Sequence, residues 1–292
     1  MHTSVVMKVV LLGMWSLLSS PSALVAGHAA WPAVADNIPS VAYPDTLRPK
    51  FGAYQFVAHR GGICEGIFEE YDPASLKAAM DSGYWMLEID VRATKDSVLI
   101  VNHHDLLTVT YGLQRKVSEL TYAELQKVRS IRGDYSPMLF EDVLRMMKAR
   151  RVRIQVDLKL EKPVEWYNRK VNEQLKRQGM LEEAFFIRND VSEFYEGGLF
   201  GFRMAEVEAM RKRMAAGEDI RKKYYLFDHG NRLNAETVRW CQKNGIMVCA
   251  SVNFGHYMLE EPTSGARRDI EYLRRSGVRI FQIDSDFDAY FD

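Results

Sequence analysis

The chain has 292 residues, of which 47% are hydrophobic and 27% are charged, and this is enough apolar material for one large globular domain or two small ones. Its 39 basic and 39 acidic side chains give a formal net charge of zero. Because nucleic-acid-binding proteins usually carry a basic excess, this balance argues against nucleic acid as a partner.

The first 26 residues differ in character from the rest. Lys8 precedes an apolar run from Val9 to Leu18, which is followed by small residues. This pattern predicts a secretory signal peptide over residues 1–26, with cleavage after Ala26 or as late as Ala35. An uncleaved membrane anchor is the alternative, although the run is short for a transmembrane helix. We therefore expect an exported protein, either periplasmic or secreted.

Residues 27–53 contain four prolines and predict an extended arm that leads into one domain, residues 54–292. In that domain short apolar runs alternate with helical patterns, which is typical of a parallel sheet with crossover helices. Strands are predicted at eight places: Gln55–Ala58, Met86–Val91, Val98–Asn102, Arg153–Leu158, Ala184–Ile187, Tyr224–Phe227, Met247–Val252 and Arg279–Ile283.

Eight strands that alternate with helices predict an α/β fold, a closed TIM-type (β/α)8 barrel. One connection is irregular, because only Arg92 to Ser97 lie between the second and third strands and a crossover helix needs more residues. In such barrels the active site lies at the C-terminal ends of the strands. Polar residues at those ends are therefore the candidates for function.

Two acidic residues, Glu88 and Asp90, lie in the second predicted strand. Side chains at i and i+2 of a strand share a face, so both carboxylates are expected to project to one side. Such a pair suits a hard divalent cation, while pairing with arginines such as Arg60 and Arg92 is the structural alternative. A cation beside the nearby histidines indicates acid–base chemistry on a phosphoester.

Five motifs of this stretch resemble, in order, those of the glycerophosphodiester phosphodiesterase family. They are His59-Arg60-Gly61, Glu70, Glu88-Ile89-Asp90-Val91, Thr94-Lys95-Asp96 and His104-Asp105, and the resemblance continues at Asp157-Leu158-Lys159. It implies a TIM barrel with the same unusual connection after the second strand. It also implies a phosphoric diester hydrolase that cleaves glycerophosphodiesters to glycerol 3-phosphate and an alcohol.

The resemblance assigns roles to residues of this chain. It implies that His59 and His104 exchange protons as general acid and general base, which imidazole can do near neutral pH. The other implied roles are binding of the substrate phosphate by Arg60 and Lys159, binding of one divalent cation, Ca²⁺ or Mg²⁺, by Glu88, Asp90 and Asp157, and a supporting role for Glu70 and Asn253.

The second histidine has a rival one position earlier, His103. We prefer His104 because Asp105 follows it directly, as in the His-Asp pair of the family. Adjacent residues of a strand face opposite sides, so only one of the two rings is expected to point at the substrate.

Several positions depart from the family pattern, among them Ser97, which stands where the turn usually has a Gly. Asp157 stands where a Glu is usual, Tyr71 where the residue after the Glu is usually Asn, and Ala250 where a Trp is common. The shorter arm at Asp157 is expected to bring the cation closer to that strand or to bind it through water. The missing Trp leaves the preference for the alcohol headgroup open.

Alternatives remain at the level of function and of residues. A phospholipase D-like or phosphoinositide-cleaving barrel would use the same histidines on another headgroup, and a catalytically inactive exported binding protein would keep only the pocket. Arg60 can instead form a salt bridge to Glu70 or Asp284, and Lys159 can be an exposed lysine at a strand end. We expect a small phosphodiester as the substrate and the membrane only as a source of it. The oligomeric state stays open.

Overall fold

The computed structural model of the chain describes residues 53–62, 69–160, 162–257 and 261–291. The predicted signal peptide and all but the last residue of the predicted arm lie outside these residues. Within the described ranges no helix combines the length and the apolar character needed to cross a membrane.

The described residues form one sheet of nine strands, and eight of the strands make a closed parallel ring. The ring closes between β1 and β2, where Val57 lies opposite Met86. The predicted α/β TIM-type barrel is therefore confirmed. The strands are β1 Gln55–Ala58, β2 Met86–Ala93, β3 Leu99–Val101, β4 Arg153–Leu158, β5 Phe185–Phe186, β6 Leu199–Phe202, β7 Tyr224–His229, β8 Val248–Val252 and β9 Ile280–Ile283.

Strand β3 is the member of the sheet that lies outside the ring. It runs antiparallel to the end of β2, with Val101 opposite Val91. A tight turn joins the two strands, and Thr94 closes it by accepting a hydrogen bond from Val98 N on its hydroxyl (2.9 Å). The irregular connection predicted after the second strand is therefore a β-hairpin.

One of the eight barrel strands predicted from sequence is wrong. The prediction counts Val98–Asn102 as a barrel strand, whereas that segment forms β3, and it omits β6. Strand β6 is short and contains Gly201, and a glycine inside a strand weakens the sequence signal. The structure requires a small residue there, because a Cβ on Gly201 would lie 2.7 Å from the carbonyl oxygen of Ile187.

The longer helices pack on the outside of the ring. Asp72 caps α1 by accepting a hydrogen bond from Ala74 N (2.7 Å), and Pro73 occupies the first turn. The helices are α1 Pro73–Asp81, α2 Thr108–Tyr111, α3 Tyr122–Leu125, α4 Phe140–Arg150, α5 Glu165–Arg177, α6 Val207–Ala215, α7 Ala235–Lys243 and α8 Pro262–Arg275.

Alternation along the barrel strands separates two apolar cores. In β2, Leu87 and Ile89 belong to the large core between strands and helices, while Met86 joins the smaller core inside the barrel. Because Glu88 and Asp90 follow Met86 at steps of two, they share its inward face. The fold thus directs both carboxylates to the inside of the ring, near the C-terminal ends of the strands.

A layer of buried polar side chains lies along the same inward face. Gln155 donates a hydrogen bond to the Tyr225 hydroxyl (3.0 Å) and accepts one from the Gln282 amide (2.9 Å). Ser251 donates to Gln282, and Asn253 donates to Ser251 (3.2 Å). These bonds satisfy the polar groups and connect strands β4, β7, β8 and β9 beneath the strand ends.

The segment between β3 and α4, residues 102–139, carries helices α2 and α3 and forms a small core of its own. That core consists of Ile100, Leu107, Tyr111, Val117, Leu120, Leu125 and Tyr135. The segment follows the C-terminal side of β2 through the β2–β3 hairpin, so it borders the rim at which the candidate site lies.

Candidate active site

Three carboxylates from two neighbouring strands converge at the rim. The parallel register pairs Asp90 of β2 with Asp157 of β4, and Glu88 lies two residues earlier on the same face. One oxygen atom from each of the three lies within 4.8 Å of the others. Glu88 and Asp90 are each only 1% exposed. The prediction that these three acidic residues share one place agrees with this geometry.

The Lys159 ammonium lies among these carboxylates, 2.7 Å from Asp90 Oδ1 and 2.5 Å from Asp157 Oδ2. Burial works against its charge, but the carboxylates of Asp90, Asp157 and Glu88 prevail and raise the pKa of Lys159. The lysine is therefore a fixed positive charge in the cluster. The alternative of an exposed strand-end lysine does not hold.

The cluster holds more negative charge than Lys159 neutralises. Burial, together with the charges of Asp90 and Asp157, raises the pKa of Glu88 well above its usual range. Burial and Asp90 likewise raise the pKa of Asp157. For Asp90 burial acts in the same direction, but Lys159 outweighs it and the pKa falls. Binding of a further cation would stabilise the charged form of these carboxylates.

The residues present fit a hard divalent cation. Glu88 Oε1 is buried and has no hydrogen-bond partner among the described residues, whereas Glu88 Oε2 accepts a hydrogen bond from Arg60 N (2.7 Å). An unpaired buried carboxylate oxygen is costly unless something positive binds it. The donor set consists of carboxylate oxygens, which Ca²⁺ and Mg²⁺ prefer.

Tyr71, a departure from the family pattern, supports this cluster directly. Its buried hydroxyl accepts a hydrogen bond from Asp90 N (2.9 Å) and donates one to Asp90 Oδ2. The backbone of Tyr71 is left-handed, with φ of 59°, a conformation that Asn adopts more readily than Tyr. The hydroxyl fixes the Asp90 carboxylate, so that Oδ1 faces the cluster.

Arg60 connects the acidic cluster to the other candidate residues. It follows β1 in a left-handed turn with φ of 51°, which lets its amide reach Glu88. Its guanidinium donates to Glu70 Oε1 and to His103 Nε2 (3.1 Å). The salt bridge to Glu70 is thus present in this state, and neighbouring Glu69 instead accepts a hydrogen bond from Arg132 N (3.3 Å).

His59 forms a pair with Asp284, whereas the sequence indicated Asp284 only as a partner for Arg60. His59 Nδ1 lies 2.6 Å from Asp284 Oδ1, and Asp284 Oδ2 accepts a hydrogen bond from Phe254 N (2.7 Å). Burial would raise the pKa of Asp284, but His59 outweighs it and the pKa is lowered. The pair orients the ring and leaves Nε2 for chemistry. The signal in the sequence was a polar residue directly after the last barrel strand.

The two adjacent histidines differ in their surroundings. His103 is half-buried and its Nε2 accepts from Arg60, while His104 is exposed. Burial, assisted by Lys159 and Arg60, lowers the pKa of His103 to about 3, even though Asp90 acts in the opposite direction. His103 is therefore neutral at neutral pH, which agrees with its role as a hydrogen-bond acceptor.

Both of these rings lie beside Glu70, so the expected alternation of faces does not separate them, and which ring faces the substrate stays a prediction. His103, His104 and Glu70 each offer one ligand atom within 4.8 Å of the others, and the two rings meet edge to face with their centroids 4.3 Å apart. The expectation assumed a strand, but β3 ends at Val101. Beyond that residue the alternation of faces no longer applies.

Asn253 and Ala250 contact residues that maintain the fold. The Asn253 amide donates to Ser251 and belongs to the polar layer inside the barrel. Ala250 faces the opposite side of β8 and packs in the core between strands and helices. Its small side chain therefore opens no space in the site.

A cleft of about 570 Å³ opens above these residues. Its floor includes His59, Arg60, Glu70 and Asp284. The carboxylates of Glu88, Asp90 and Asp157 are not part of its lining, but Arg60 joins the cleft to them through its amide. A ligand in the cleft would therefore contact the His59 imidazole and the Arg60 guanidinium rather than the carboxylates.

Comparisons with known proteins identify the family of this chain. Residues 59–248 match the model of the glycerophosphoryl diester phosphodiesterase family. The human protein named Lysophospholipase D GDPD1 is 36% identical over 69 residues, which are 24% of this chain and 21% of that protein. A glycerophosphodiester phosphodiesterase of Bacillus altitudinis is 28% identical over 151 residues, or 49% of this chain and 58% of the relative. The matched segment thus spans about a fifth of the length of the human relative and a little more than half of the length of the Bacillus relative.

Solved structures extend the likeness over most of the described residues. A glycerophosphoryl diester phosphodiesterase from Parabacteroides distasonis superposes with a TM-score of 0.63 at 20% identity, covering 82% of this chain and 85% of that one. An Oleispira antarctica phosphodiesterase in complex with the product sn-glycerol-3-phosphate gives 0.62 at 18% identity and covers 84% and 100%. At these identities the likeness concerns the fold.

Proposed function

This chain belongs to the glycerophosphoryl diester phosphodiesterase family, and from that premise we propose that it is a metal-dependent phosphodiesterase. Its proposed reaction is hydrolysis of glycerophosphodiesters to glycerol 3-phosphate and an alcohol. One observation carries the proposal: Arg60 contacts Glu88, Glu70 and His103 at once, beside His59. A phosphate at this arginine would therefore have a proton carrier and a carboxylate cluster next to it.

Positive charge at the rim supports binding of a phosphodiester. The planar guanidinium of Arg60 can donate two hydrogen bonds to phosphate oxygens, and Lys159 adds a point charge. Glu88, Asp90 and Asp157 would hold a Ca²⁺ or Mg²⁺ ion. When bound, such a cation supplies charge that polarises a phosphoryl oxygen.

Two histidines would move the protons. His59 is oriented by Asp284, whose carboxylate fixes the position of the ring. We retain His104 as its counterpart, because His103 Nε2 is engaged by Arg60 while His104 is exposed. One ring takes a proton from the attacking hydroxyl and the other gives a proton to the leaving oxygen.

Two routes fit these groups. A neighbouring glycerol hydroxyl can attack first and give a cyclic phosphate that water then opens, or water can attack directly. Both routes need the same proton acceptor and donor. Glu70, which pairs with the Arg60 guanidinium, would hold that side chain in place on either route.

Export is a further part of the proposal. Residues 1–26 would be a signal peptide that directs the domain to the periplasm or the exterior, and these residues lie outside the described ranges. A small phosphodiester, derived from membrane lipid or free in solution, would then be met outside the cytoplasm.

A release assay over a panel of phosphodiesters tests the proposal. We expect glycerol 3-phosphate from glycerophosphocholine in Ca²⁺ or Mg²⁺ and none in EDTA. His59→Ala should lower kcat by about 100- to 10,000-fold, as loss of a general acid or base does. Asp284→Asn keeps an oxygen for Phe254 N but loses the charge, so we expect it to lower kcat by a smaller factor than His59→Ala does.

His229→Ala is the matched control. His229 is an imidazole at the end of β7 that stacks on His256, and it should leave turnover unchanged. Equal activity of the wild type and His59→Ala, with and without EDTA, would contradict the mechanism. Tight binding of phosphodiesters without turnover would support the alternative of an inactive binding protein.

A further inference from the structure

Arg60 also contacts a second group of possible metal ligands, whose composition differs from that of the three carboxylates. This group consists of Glu70, His103 and His104, and one atom of each lies within 4.8 Å of the atoms of the other two. We call it the His–Glu group. It offers two imidazole nitrogens and one carboxylate oxygen, whereas the cluster on β2 and β4 offers oxygen alone. The two groups therefore favour different cations.

The ligand types of the His–Glu group suit zinc rather than calcium or magnesium. Imidazole nitrogen is a good ligand of Zn²⁺, while Ca²⁺, Mg²⁺ and Mn²⁺ prefer carboxylate and water oxygen. Two histidines and one glutamate are a set with which proteins hold Zn²⁺ and leave its fourth position open. A tetrahedral Zn²⁺ ion with bonds of about 2.0–2.1 Å places its ligand atoms about 3.3 Å apart. Because the three atoms already lie within 4.8 Å of one another, small side-chain rotations are sufficient to reach that geometry.

Contacts to the backbone hold these residues in place. The Tyr135 hydroxyl donates a hydrogen bond to the carbonyl oxygen of Glu70 (2.7 Å). The Arg92 guanidinium donates two to the carbonyl oxygen of His103 (2.6 and 3.0 Å), and His104 follows directly in the chain. A fixed backbone lowers the conformational entropy that is lost when the three side chains bind one ion.

The His103 ring has a lone pair available for a metal ion. Its Nε2 accepts a hydrogen bond from Arg60 Nη2 (3.1 Å), and a guanidinium can only donate. Its Nδ1 is buried and has no hydrogen-bond partner in the part of the chain that the structure describes. An incoming cation thus has one hydrogen bond of this ring to replace. Since His104 is exposed, the cation can reach the group from solvent.

Arg60 is the competitor of such a cation. Its guanidinium donates to Glu70 Oε1 and to His103 Nε2, which are groups that Zn²⁺ would bind. A dication and a guanidinium repel each other and cannot share these lone pairs. Binding of Zn²⁺ therefore requires the guanidinium to move, while the Arg60 amide can keep its bond to Glu88.

We propose that Glu70, His103 and His104 form a second cation site that takes Zn²⁺, and that Zn²⁺ bound there inhibits the enzyme. The inhibitory role rests on the proposed phosphodiesterase function, in which His104 moves a proton and Arg60 binds the phosphate. Zn²⁺ would occupy the lone pair that His104 needs for proton transfer. It would also bind Glu70, so Arg60 would lose the carboxylate that holds its guanidinium in place.

Titration calorimetry with Zn²⁺, in saturating Ca²⁺ or Mg²⁺ and without substrate, tests the site itself. The added Ca²⁺ or Mg²⁺ is there to occupy the three carboxylates. His103→Phe keeps a ring against His104 but removes a ligand, and Glu70→Gln removes another charged ligand. Each should raise the Kd for Zn²⁺ by at least about 100-fold, because a lost ligand costs more than a lost outer partner. Arg60→Met removes the competing charge and should lower the Kd about tenfold.

His229→Phe is the matched control, because His229 stacks on His256 and is not part of the His–Glu group. It should leave the Kd for Zn²⁺ unchanged. A Kd that His103→Phe and Glu70→Gln leave unchanged, or that His229→Phe raises as much as they do, places Zn²⁺ elsewhere and overturns the inference. Equal Kd values for Arg60→Met and the wild type would contradict the competition with the guanidinium.

Turnover of glycerophosphocholine in saturating Ca²⁺ or Mg²⁺ tests the inhibition. We expect added Zn²⁺ to stop turnover of the wild type, and His103→Phe to need about 100-fold more Zn²⁺ for half inhibition. Inhibition that further Ca²⁺ or Mg²⁺ relieves and that His103→Phe retains assigns Zn²⁺ to the three carboxylates and overturns the inference. Zn²⁺ binding at the His–Glu group without inhibition overturns the inhibitory role. No turnover before Zn²⁺ is added overturns the proposed function and the inhibitory role together, while calorimetry still decides the site.

Discussion

At the scale of single residues, the site depends on two side chains in left-handed backbone. Arg60 and Tyr71 have φ angles of 51° and 59°, and such conformations cost about 1–3 kcal/mol each in non-glycine residues. Each is held by a contact to a carboxylate of the cluster, Arg60 N to Glu88 and the Tyr71 hydroxyl to Asp90. The strained turns therefore fix where the carboxylate oxygens point.

Removing the Tyr71 hydroxyl should weaken cation binding. Tyr71→Phe keeps the ring that packs beneath Gly61 but frees Asp90 Oδ2, so the carboxylate can rotate away from the cluster. Partners that orient metal ligands are worth about 10- to 100-fold in affinity. We expect a loss of that size in the Kd for Ca²⁺ or Mg²⁺, measured by titration calorimetry without substrate.

Tyr84→Phe is the control for a lost buried hydroxyl, because Tyr84 donates to Asp288 (2.6 Å) away from the carboxylate cluster. It should lower the melting temperature without changing the Kd. If Tyr71→Phe and Tyr84→Phe bind the cation equally well, the Tyr71 hydroxyl has no part in positioning Asp90.

Residues close in sequence could be grouped correctly from sequence alone. The spacing of Glu88 and Asp90 predicts a shared face, and strand alternation delivers it. The pair of His59 and Asp284 spans 225 positions, so no local pattern could reveal it. The placement of His103 and His104 also escaped prediction, since it depends on β3 ending two residues earlier.

At the scale of elements, strand register decides which side chains meet. Asp90 and Asp157 are opposite each other because β2 and β4 pair in parallel with Met86 against Arg153. A shift of one residue would turn Asp157 toward the helices. The sequence predicts both strands but not their pairing, because β3 intervenes in the chain and leaves the ring.

Helix α8 begins with a pH-dependent cap. The Glu261 carboxylate accepts hydrogen bonds from Thr263 N (3.1 Å) and Ser264 N (2.6 Å), and bonds from the Thr263 hydroxyl and these amides lower its pKa from 4.5 to about 2. A carboxyl group whose pKa is lower in the folded than in the unfolded protein stabilises the fold at pH values above its unfolded-state pKa. That stabilisation is lost as the pH falls through the folded-state pKa.

Glu261→Ala should therefore lower the melting temperature by a few degrees at pH 7. The difference from the wild type should persist down to about pH 5 and shrink between about pH 4.5 and pH 2. Glu271→Ala, on the same helix and paired with Arg275 in the last turns, serves as the control. A difference for Glu261→Ala that is the same at every pH would rule out the carboxylate cap.

At the scale of the whole molecule, the closed ring gathers residues from distant parts of the chain. The site draws on the ends of β1, β2, β4, β8 and β9, and parallel pairing between β1 and β9, with Ala58 opposite Ile283, brings the first and last of these strands together. The polar layer beneath, from Gln155 to Asn253, links the strands with satisfied hydrogen bonds. These hydrogen bonds therefore stabilise the strand ends on which the candidate site lies.

The barrel could be predicted from the alternation of strands and helices, but the identity of the strands that form its ring could not. The count of eight holds only because one false barrel strand, at β3, offsets one missed strand, β6. Closure depends on pairing between residues far apart in the chain, which composition and periodicity do not encode. The motifs that carry the three carboxylates could be placed from sequence because they lie on β2 and β4, which were predicted correctly.

Anomalous diffraction from crystals soaked with Mn²⁺ and glycerol 3-phosphate tests the central claim most directly, because Mn²⁺ accepts the same oxygen ligands as Mg²⁺. We predict one anomalous peak between Glu88, Asp90 and Asp157, with the phosphate of the ligand on Arg60 and beside His59. A peak elsewhere, or a phosphate bound away from Arg60 with no ion among the three carboxylates, would contradict the account.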